Sequence, residues 1–525
     1  MKYFHIFCLQ LFFGFSAFSQ NIGIGTASPD ASARLDVSAT NAGFLPPRMT
    51  TAQRDLIPSP VAGLVIYNNT TATIEFYNGQ YWGNIGNAGA AAESKKLIKL
   101  YGGNQSDIIN AIVNTPDGGY VIAGSSISSN NGTLSGITSN GSMDGWIMKV
   151  SSIGEIEWQK LLGGTQDDQF NGIAATPDGG FILAGSSNSS NTGTLIGVIN
   201  NGNLSSDAWV VKINATGNTV WQKLYGGTAN EILFEVVANA DGSCTVAGRS
   251  SSSNTGTITG LSTNGGVDAY VMRLSNTGVI IWQKLLGGSN TDQAFAISST
   301  ADGGFLIGGN SASSNTGTLS GIINYGSLDF YIIKLNAAGV IVFQKLLGGT
   351  SDDECTDLQE NADGSIIATG ITSSANTGYL TGFAGNGGAD GWVLKLDALA
   401  NTFLFQRVLG GAGTDFFRSI LQTPDGGYIL SGISASANTG TITQPNSGLN
   451  DIYVTKINAA GNTEFVRLVG SSLNDDSRVL ATNGTSGFVV GGTVGGSNSG
   501  FFTGYFVNGQ LDGVLVKFDK YGNPL

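Results

Sequence analysis

The chain repeats itself. The block Trp-Gln-Lys-Leu-Leu-Gly-Gly at Trp158–Gly164 returns with small changes at Trp221–Gly227, Trp282–Gly288, Phe343–Gly349 and Phe405–Gly411. Tyr101-Gly102-Gly103 opens the first copy and Val469-Gly470-Ser471 opens the last, giving seven copies at a period of about 61 residues. Self-similarity at a fixed period limits the fold to a repeat architecture. Each copy places an acid four residues after the second residue of the Gly-Gly pair: Asp107, Asp168, Glu231, Asp292, Asp353, Asp415 and Asp475. A mostly apolar stretch follows, then a turn. The turn is Thr-Pro-Asp-Gly-Gly at Thr115–Gly119, Thr176–Gly180 and Thr423–Gly427, and Ala-Asp-Gly in other copies. Asp-Gly between two apolar runs is a hairpin signal. Next come Tyr-Val-Ile-Ala-Gly-Ser-Ser or a variant, a Ser/Asn/Thr/Gly loop of about 18 residues, and an Asp-x-Trp-Val-x-Lys segment. That segment begins at Asp144, Asp207, Asp268, Asp329, Asp390, Asp451 and Asp512.

The pattern predicts four strands per copy, named A to D here. A follows the repeated acid, B follows the hairpin turn, C starts at the Asp-x-Trp aspartate, and D is the Trp-Gln-Lys-Leu-Leu strand. Four antiparallel strands repeated seven times predict an all-β, seven-bladed β-propeller. Insertions agree with this register. The strand A acid and the turn aspartate are ten residues apart in six copies, while the B–C loop varies in length. Solvated loops tolerate insertion and packed strands do not. The last copy has no strand D, and residues 96–101 supply a spare one ahead of the first copy. Closure of the ring is therefore expected to pair 96–101 with strand C of the seventh copy, since an open blade leaves unpaired edges.

The Asp207-Ala208-Trp209-Val210-Val211-Lys212 and Leu224-Tyr225-Gly226-Gly227 segments resemble the SBBP-type β-propeller repeats of exported bacterial surface proteins, and the Gly-Gly-Tyr-Val-Ile-Ala-Gly motif resembles those proteins more closely still. The resemblance covers about 430 residues and implies a propeller, with a surface or secreted location.

Ahead of the repeats, Lys2, the apolar run Ile6–Phe18 and Ala17-Phe18-Ser19 read as a signal peptide, residues 1–19, with export expected. Cys8 lies inside the apolar run, so a lipid anchor is not expected. Residues 20–88 do not repeat and read as a small β-rich head-type module, with a hairpin of Leu64–Tyr67 and Ile74–Tyr77 and a short helix at Gln53–Leu56 capped by Thr51. Such a module suggests presentation or oligomerisation. Residues 89–95 read as a linker and 96–525 as the propeller.

Net charge is −13 and no basic run occurs, so nucleic acid and anionic membrane surfaces are poor partners. No later segment is long and apolar enough to span a bilayer. The one histidine, His5, leaves with the signal. That excludes His-dependent triads and His-ligated metals from the exported chain. Cys244 and Cys355 lie in non-adjacent copies, so a disulfide between them is not expected.

Two classes of acid recur in every copy. A ring of carboxylates has the chemistry for Ca²⁺, with Asp168, Asp353 and Asp207 as candidates. The competing reading is that each acid caps its own turn, which recurrence in every copy favours. The basic residue of Asp-x-Trp-Val-x-Lys is expected to be a repeated structural ion pair or a snorkelling side chain, not part of a binding groove. Function is expected where the copies differ. In strand A, Glu235 and Asp357 replace Ala, Gly or Ser, and Arg418 replaces Asn, Phe or Thr; Arg249 replaces Ser at the mouth of a B–C loop. The expectation is a secreted or cell-surface binding and adhesion scaffold that uses its B–C loop face for a glycan or surface protein, without a cofactor or enzymatic activity. The alternatives are a Ca²⁺-stabilised structural protein, and a polysaccharide-active enzyme in which Glu235 and Asp357 supply two carboxylates.

Overall fold

A computed structural model describes residues 22–24, 35–39, 44–58, 60–70, 73–77, 82–84, 98–202, 205–484 and 487–525. The expected signal peptide and linker lie outside the described residues. The chain divides into two compact units, Met1–Ser94 and Lys95–Leu525.

The larger unit contains seven four-stranded antiparallel sheets, each in the spatial order A-B-C-D. In the second blade the strands are Asp168–Ala175, Phe181–Ser187, Asp207–Ile213 and Thr219–Tyr225. The seventh sheet takes A, B and C from Asp475–Thr482, Gly487–Val494 and Asp512–Asp519, and its fourth strand from Ile98–Tyr101. Gly513 to Val516 pair with Tyr101 to Ile98, so the two ends of this unit share one blade as expected.

The core lies between blades. Leu162, Phe170, Leu183, Trp209 and Val211 of the first and second blades form one buried cluster, and Ile109, Trp146, Val489 and Leu515 join the first blade to the seventh. Trp146, Trp209 and Trp392 are fully buried, each at the third position of strand C. Burying a side chain of this size stabilises by roughly 2–3 kcal/mol, so the repeated aromatic sets the sheet spacing.

The Asp-x-Trp-Val-x-Lys cations pair with the hairpin-turn aspartates: Lys149 with Asp117, Lys212 with Asp178, Arg273 with Asp241, Lys334 with Asp302, Lys395 with Asp363 and Lys456 with Asp425. The seventh copy has no Asp-Gly turn. There Lys517 donates to the Ser152 carbonyl and lies over the Tyr120 ring, and burial lowers its pKa.

In the smaller unit, Ile22–Ile24 pairs in parallel with Leu35–Val37. A second sheet orders Arg48–Met49, Val65–Asn68, Thr73–Tyr77 and Trp82–Asn84, which contains the expected hairpin. The helix is Thr51–Arg54, and its cap is Thr50, one residue earlier than expected. Thr50 wins because Gln53 is three residues on and completes a reciprocal capping box. Buried Glu75 is held by Arg54 at 2.8 Å and Asn68 at 3.0 Å.

Candidate functional site

Every inner strand A carries a bulge at its fourth residue. The pairing with strand B skips Asn110, Asn171, Phe234, Phe295, Thr356, Arg418 and Arg478 in turn. A bulge removes one residue from the ladder and re-aims its side chain. The glycine of Tyr-Val-Ile-Ala-Gly-Ser-Ser is what permits it. A Cβ on Gly124 would lie 1.8 Å from the Ile108 carbonyl oxygen. All seven bulged side chains line one axial funnel. Its wider part, about 320 Å³, also holds Glu354 near the start of strand A, on the side of the B–C loops. Its deeper part, about 150 Å³, reaches Glu235, Asp357 and Ser419.

The bulged side chains join blade to blade. Asn110 donates to the Phe170 carbonyl at 2.8 Å, Asn171 to Leu233 at 2.8 Å, and Thr356 to Phe417 at 2.7 Å. Phe234 meets Phe295 edge-on at 5.2 Å between centroids. Arg418 Nε lies 3.0 Å from Asp476 Oδ1, and Arg478 Nε lies 3.2 Å from Asp476 Oδ2. Arg478 Nη1 donates to Asn110 Oδ1 at 3.0 Å, linking the seventh blade to the first.

Glu235 and Asp357 stand one residue beyond the bulge. Each reaches the next blade: Glu235 Oε2 accepts from Ile297 N at 2.6 Å, and Asp357 Oδ2 from Ile420 N at 2.7 Å. Both face the lumen while lying deep among protein atoms. Burial raises the pKa of both, and the charge of Asp357 raises Glu235 further. Two blades of separation in sequence thus become electrostatic contact at the axis, because strands A converge there. Arg249 does not emerge onto a B–C loop. It turns inward, donates to Gln293 Oε1 at 2.6 Å and lies 5.9 Å from the centre of the Phe234 ring, and burial lowers its pKa.

The recurrent acids occupy the blade junctions. Asp168 Oδ2 accepts from Gly164 N at 2.7 Å and Ser189 Oγ at 2.8 Å, and its Oδ1 from Ser187. Asp353 Oδ2 accepts from Gly349 N and Ser374 Oγ, both at 2.8 Å. Asp207 Oδ2 accepts from Asn201 N at 2.8 Å and Nδ2 at 2.9 Å. These oxygens face N–H and O–H donors, as in turn caps. Among the described residues, no group of three or more His, Cys, Asp or Glu is arranged to hold a metal ion. The Asp-x-Trp aspartates Asp144, Asp207, Asp268, Asp329, Asp390, Asp451 and Asp512 each keep a buried Oδ1 without a hydrogen-bond partner. Most also feel the strand A acid of the next blade: Asp144 feels Asp168, Asp268 feels Asp292, and Asp512 feels Asp107. The first glycine of Gly-Gly separates the two carboxyls. A Cβ on Gly163 would sit 2.3 Å from Asp144 Oδ1 and 2.6 Å from Asp168 Oδ2.

Arg478, Asp476 and the Phe234–Phe295 pair escape a reading of the sequence that ranks only the most unusual substitutions. Comparing the residue three after each strand A acid would have found Arg478 beside Arg418.

Residues 23–97 match the family described as a phage tail like trimerisation region. A curated relative, the regulatory protein FlaEY of Caulobacter vibrioides, is 26% identical over 200 residues, 37% of this chain and 21% of that protein. The chain thus spans about a fifth of that relative's length. Hydrazine synthase of Kuenenia stuttgartiensis aligns with TM-score 0.43 and 10% identity over 80% of this chain and 98% of its own. BamB of Moraxella catarrhalis aligns with TM-score 0.35 and 13% identity over 80% of this chain and all of its own.

Proposed function

We propose that this protein is an exported binding scaffold that presents several propellers together, each engaging a glycan or surface protein through its B–C loop face. The observation that carries this reading is the funnel. The repeat is nearly uniform in its strands, turns and corner acids, yet its seven bulged positions hold Asn, Asn, Phe, Phe, Thr, Arg and Arg. Positions at which every blade makes the same contact repeat with it, and the bulged positions do not. Divergence concentrated in one concave site on one face is what a ligand requires. The B–C loops surround that face and offer Ser, Asn and Thr hydrogen-bonding groups.

Presentation is supported by the smaller unit. Phe44, Leu45, Leu56 and Val61 are each more than 60% exposed there, a density of bare apolar side chains that self-association would cover. The match to a trimerisation region agrees. Joined copies multiply weak single-site binding by effective concentration. The test is an array of glycans and surface proteins probed with the full chain and with a folded variant shortened at residues 186–206 and 250–267. Loss of binding in the variant supports the loop face, and unchanged binding refutes it.

One observation favours a second reading. Glu235 and Asp357 share the funnel floor with their proton affinities raised, as a pair of carboxyls in a glycan hydrolase would. Turnover of a polysaccharide, abolished in Asp357→Asn, would select it.

A further inference from the structure

We propose that the axial funnel is a subsite for a uronic-acid type sugar, with its carboxylate held between Arg418 and Arg478. This rests on the binding-scaffold reading and names the chemistry of its ligand.

Two guanidinium groups share one ion-paired carboxylate in the wall of the funnel. Arg418 Nε donates to Asp476 Oδ1 at 3.0 Å, while Arg478 Nε lies 3.2 Å from Asp476 Oδ2 and stays a buried donor without a hydrogen-bond partner. One negative charge cannot neutralise two guanidinium groups, and burial first, then the charge of Arg418, lower the pKa of Arg478. A second carboxylate would complete the set. The donors for it are in place. Arg478 also spends Nη1 on Asn110, and among the described residues no hydrogen bond takes its Nη2 or either Nη of Arg418, both residues lining the funnel. Planar guanidinium forks match a carboxylate in two-point geometry. Glu354, at the same mouth, is the nearest competing acid; burial raises its pKa, Asn310 donates to it, and Arg418 is its weakest influence.

The remaining walls suit a sugar ring. Phe234 and Phe295 stand on the third and fourth blades, across the funnel from Arg478, and their apolar surfaces suit the C–H face of a pyranose. Asn110, Asn171 and Thr356 are committed to the blade-to-blade hydrogen bonds, so they fix the funnel's shape and do not reach for ligand. At the floor, Glu235 lines the cavity with Oε2 held by Ile297 N. The wider part of the funnel, about 320 Å³, lies at the small end of ligand sites, which run from about 300 to 1,000 Å³. That is room for one ring, not a long chain laid flat.

The test is calorimetric titration of the full chain with galacturonic acid and with its methyl ester, which keeps the ring and removes the charge. Saturable binding of the acid with the ester at least tenfold weaker is expected, and Arg418→Gln should weaken the acid by about tenfold to a hundredfold while leaving the ester unchanged. Equal affinity for acid and ester, or an unchanged acid affinity in a folded Arg418→Gln protein, overturns the subsite. Should Arg418→Gln fail to fold, Glu354→Gln serves instead. It removes a competing negative charge and should tighten the acid alone; weaker or unchanged binding refutes the proposal. If neither sugar binds while an array partner still binds through the loops, the subsite fails and the scaffold reading stands. If the acid binds and loop shortening changes nothing, the loop-face reading fails and the subsite stands.

Discussion

Replacing Asp268 by Asn should stabilise the propeller at alkaline pH and not at acid pH. Asp268 is fully buried, its Oδ2 accepts from Asn264 N at 2.8 Å and Nδ2 at 3.1 Å, and its Oδ1 has no hydrogen-bond partner. Burial first, and then the Asp292 charge, push its carboxyl from 3.8 up to about 6. The sign follows from linkage. A raised folded-state pKa means that the folded protein favours the protonated acid. The stability this contributes is complete below about pH 4, the unfolded value, and is lost as pH rises through about 6. A shift of that size corresponds to about 3 kcal/mol at most, since each pKa unit is about 1.4 kcal/mol. Asn keeps a carbonyl oxygen for Asn264 and puts an N–H donor where the orphan oxygen was, with no charge to ionise. Equilibrium urea unfolding of parent and Asp268→Asn at about pH 4 and about pH 8 reads this directly. The variant should gain on the parent by up to about 3 kcal/mol between the two conditions. A difference that does not change with pH, or a variant less stable at pH 8, refutes the orphan-oxygen argument. A fall in parent stability on adding a chelator at pH 8 would instead assign that oxygen to a cation.

The other predictions concern the frame. Deleting residues 1–101 removes the strand paired with Gly513–Val516 and should cause aggregation or loss of cooperative unfolding; a deletion protein that melts like the parent would sink the closure scheme. Asp207→Ala should cost about 1–2 kcal/mol through the lost cap to Asn201, as read by urea midpoint. Gly163→Ala should be among the most destabilising single changes in the repeat, because its Cβ would fall 2.3 Å from Asp144 Oδ1 and the backbone φ is +157°; a thermal midpoint equal to the parent's would contradict that packing. Asp178→Asn should cost no more than about 1 kcal/mol, since the Asp178 side chain is 66% exposed even though Lys212 holds its carboxyl down at about 2.

How much of this could be read from the sequence depends on whether the signal repeats. The strands, the hairpin turns and the repeated cations are local patterns written many times, so each copy confirms the others, and the missing strand D of the last copy then points to its substitute at 96–101. The helix cap in the smaller unit occurs once, and there two adjacent threonines, Thr50 and Thr51, left the start open by one residue; only Gln53 at the third helical position decides it. The partners of Arg249 were hidden for a different reason. Its position in strand B is clear, but alternation alone does not tell which neighbour claims a long side chain, and Gln293 of the next blade takes it.

The funnel is the harder case, and the reason is geometric. At the axis of a propeller, residues a whole blade apart meet, and ring closure brings together residues from opposite ends of the unit. Arg478 and Asn110 touch although 368 positions separate them. No window of sequence contains both, and the bulge that points them inward leaves its mark on the partner strand, as the glycine of Tyr-Val-Ile-Ala-Gly-Ser-Ser. Once ring closure is accepted, that glycine becomes a pointer. It pairs with the residue just before each bulge: Gly124 with Ile109, Gly185 with Phe170, Gly248 with Leu233, and Gly432 with Phe417. The residue after each of those partners is the one that faces the lumen. The same logic separates frame from site. A position that must hold Gly for close approach, or Asp for a turn, is identical in nearly every copy because every junction makes the same demand. The bulged position sits where seven junctions meet one cavity, so no two copies face the same surroundings across it. Selection for a ligand there would break the repeat at that position first and leave the glycine opposite it untouched, which is the pattern these seven copies carry.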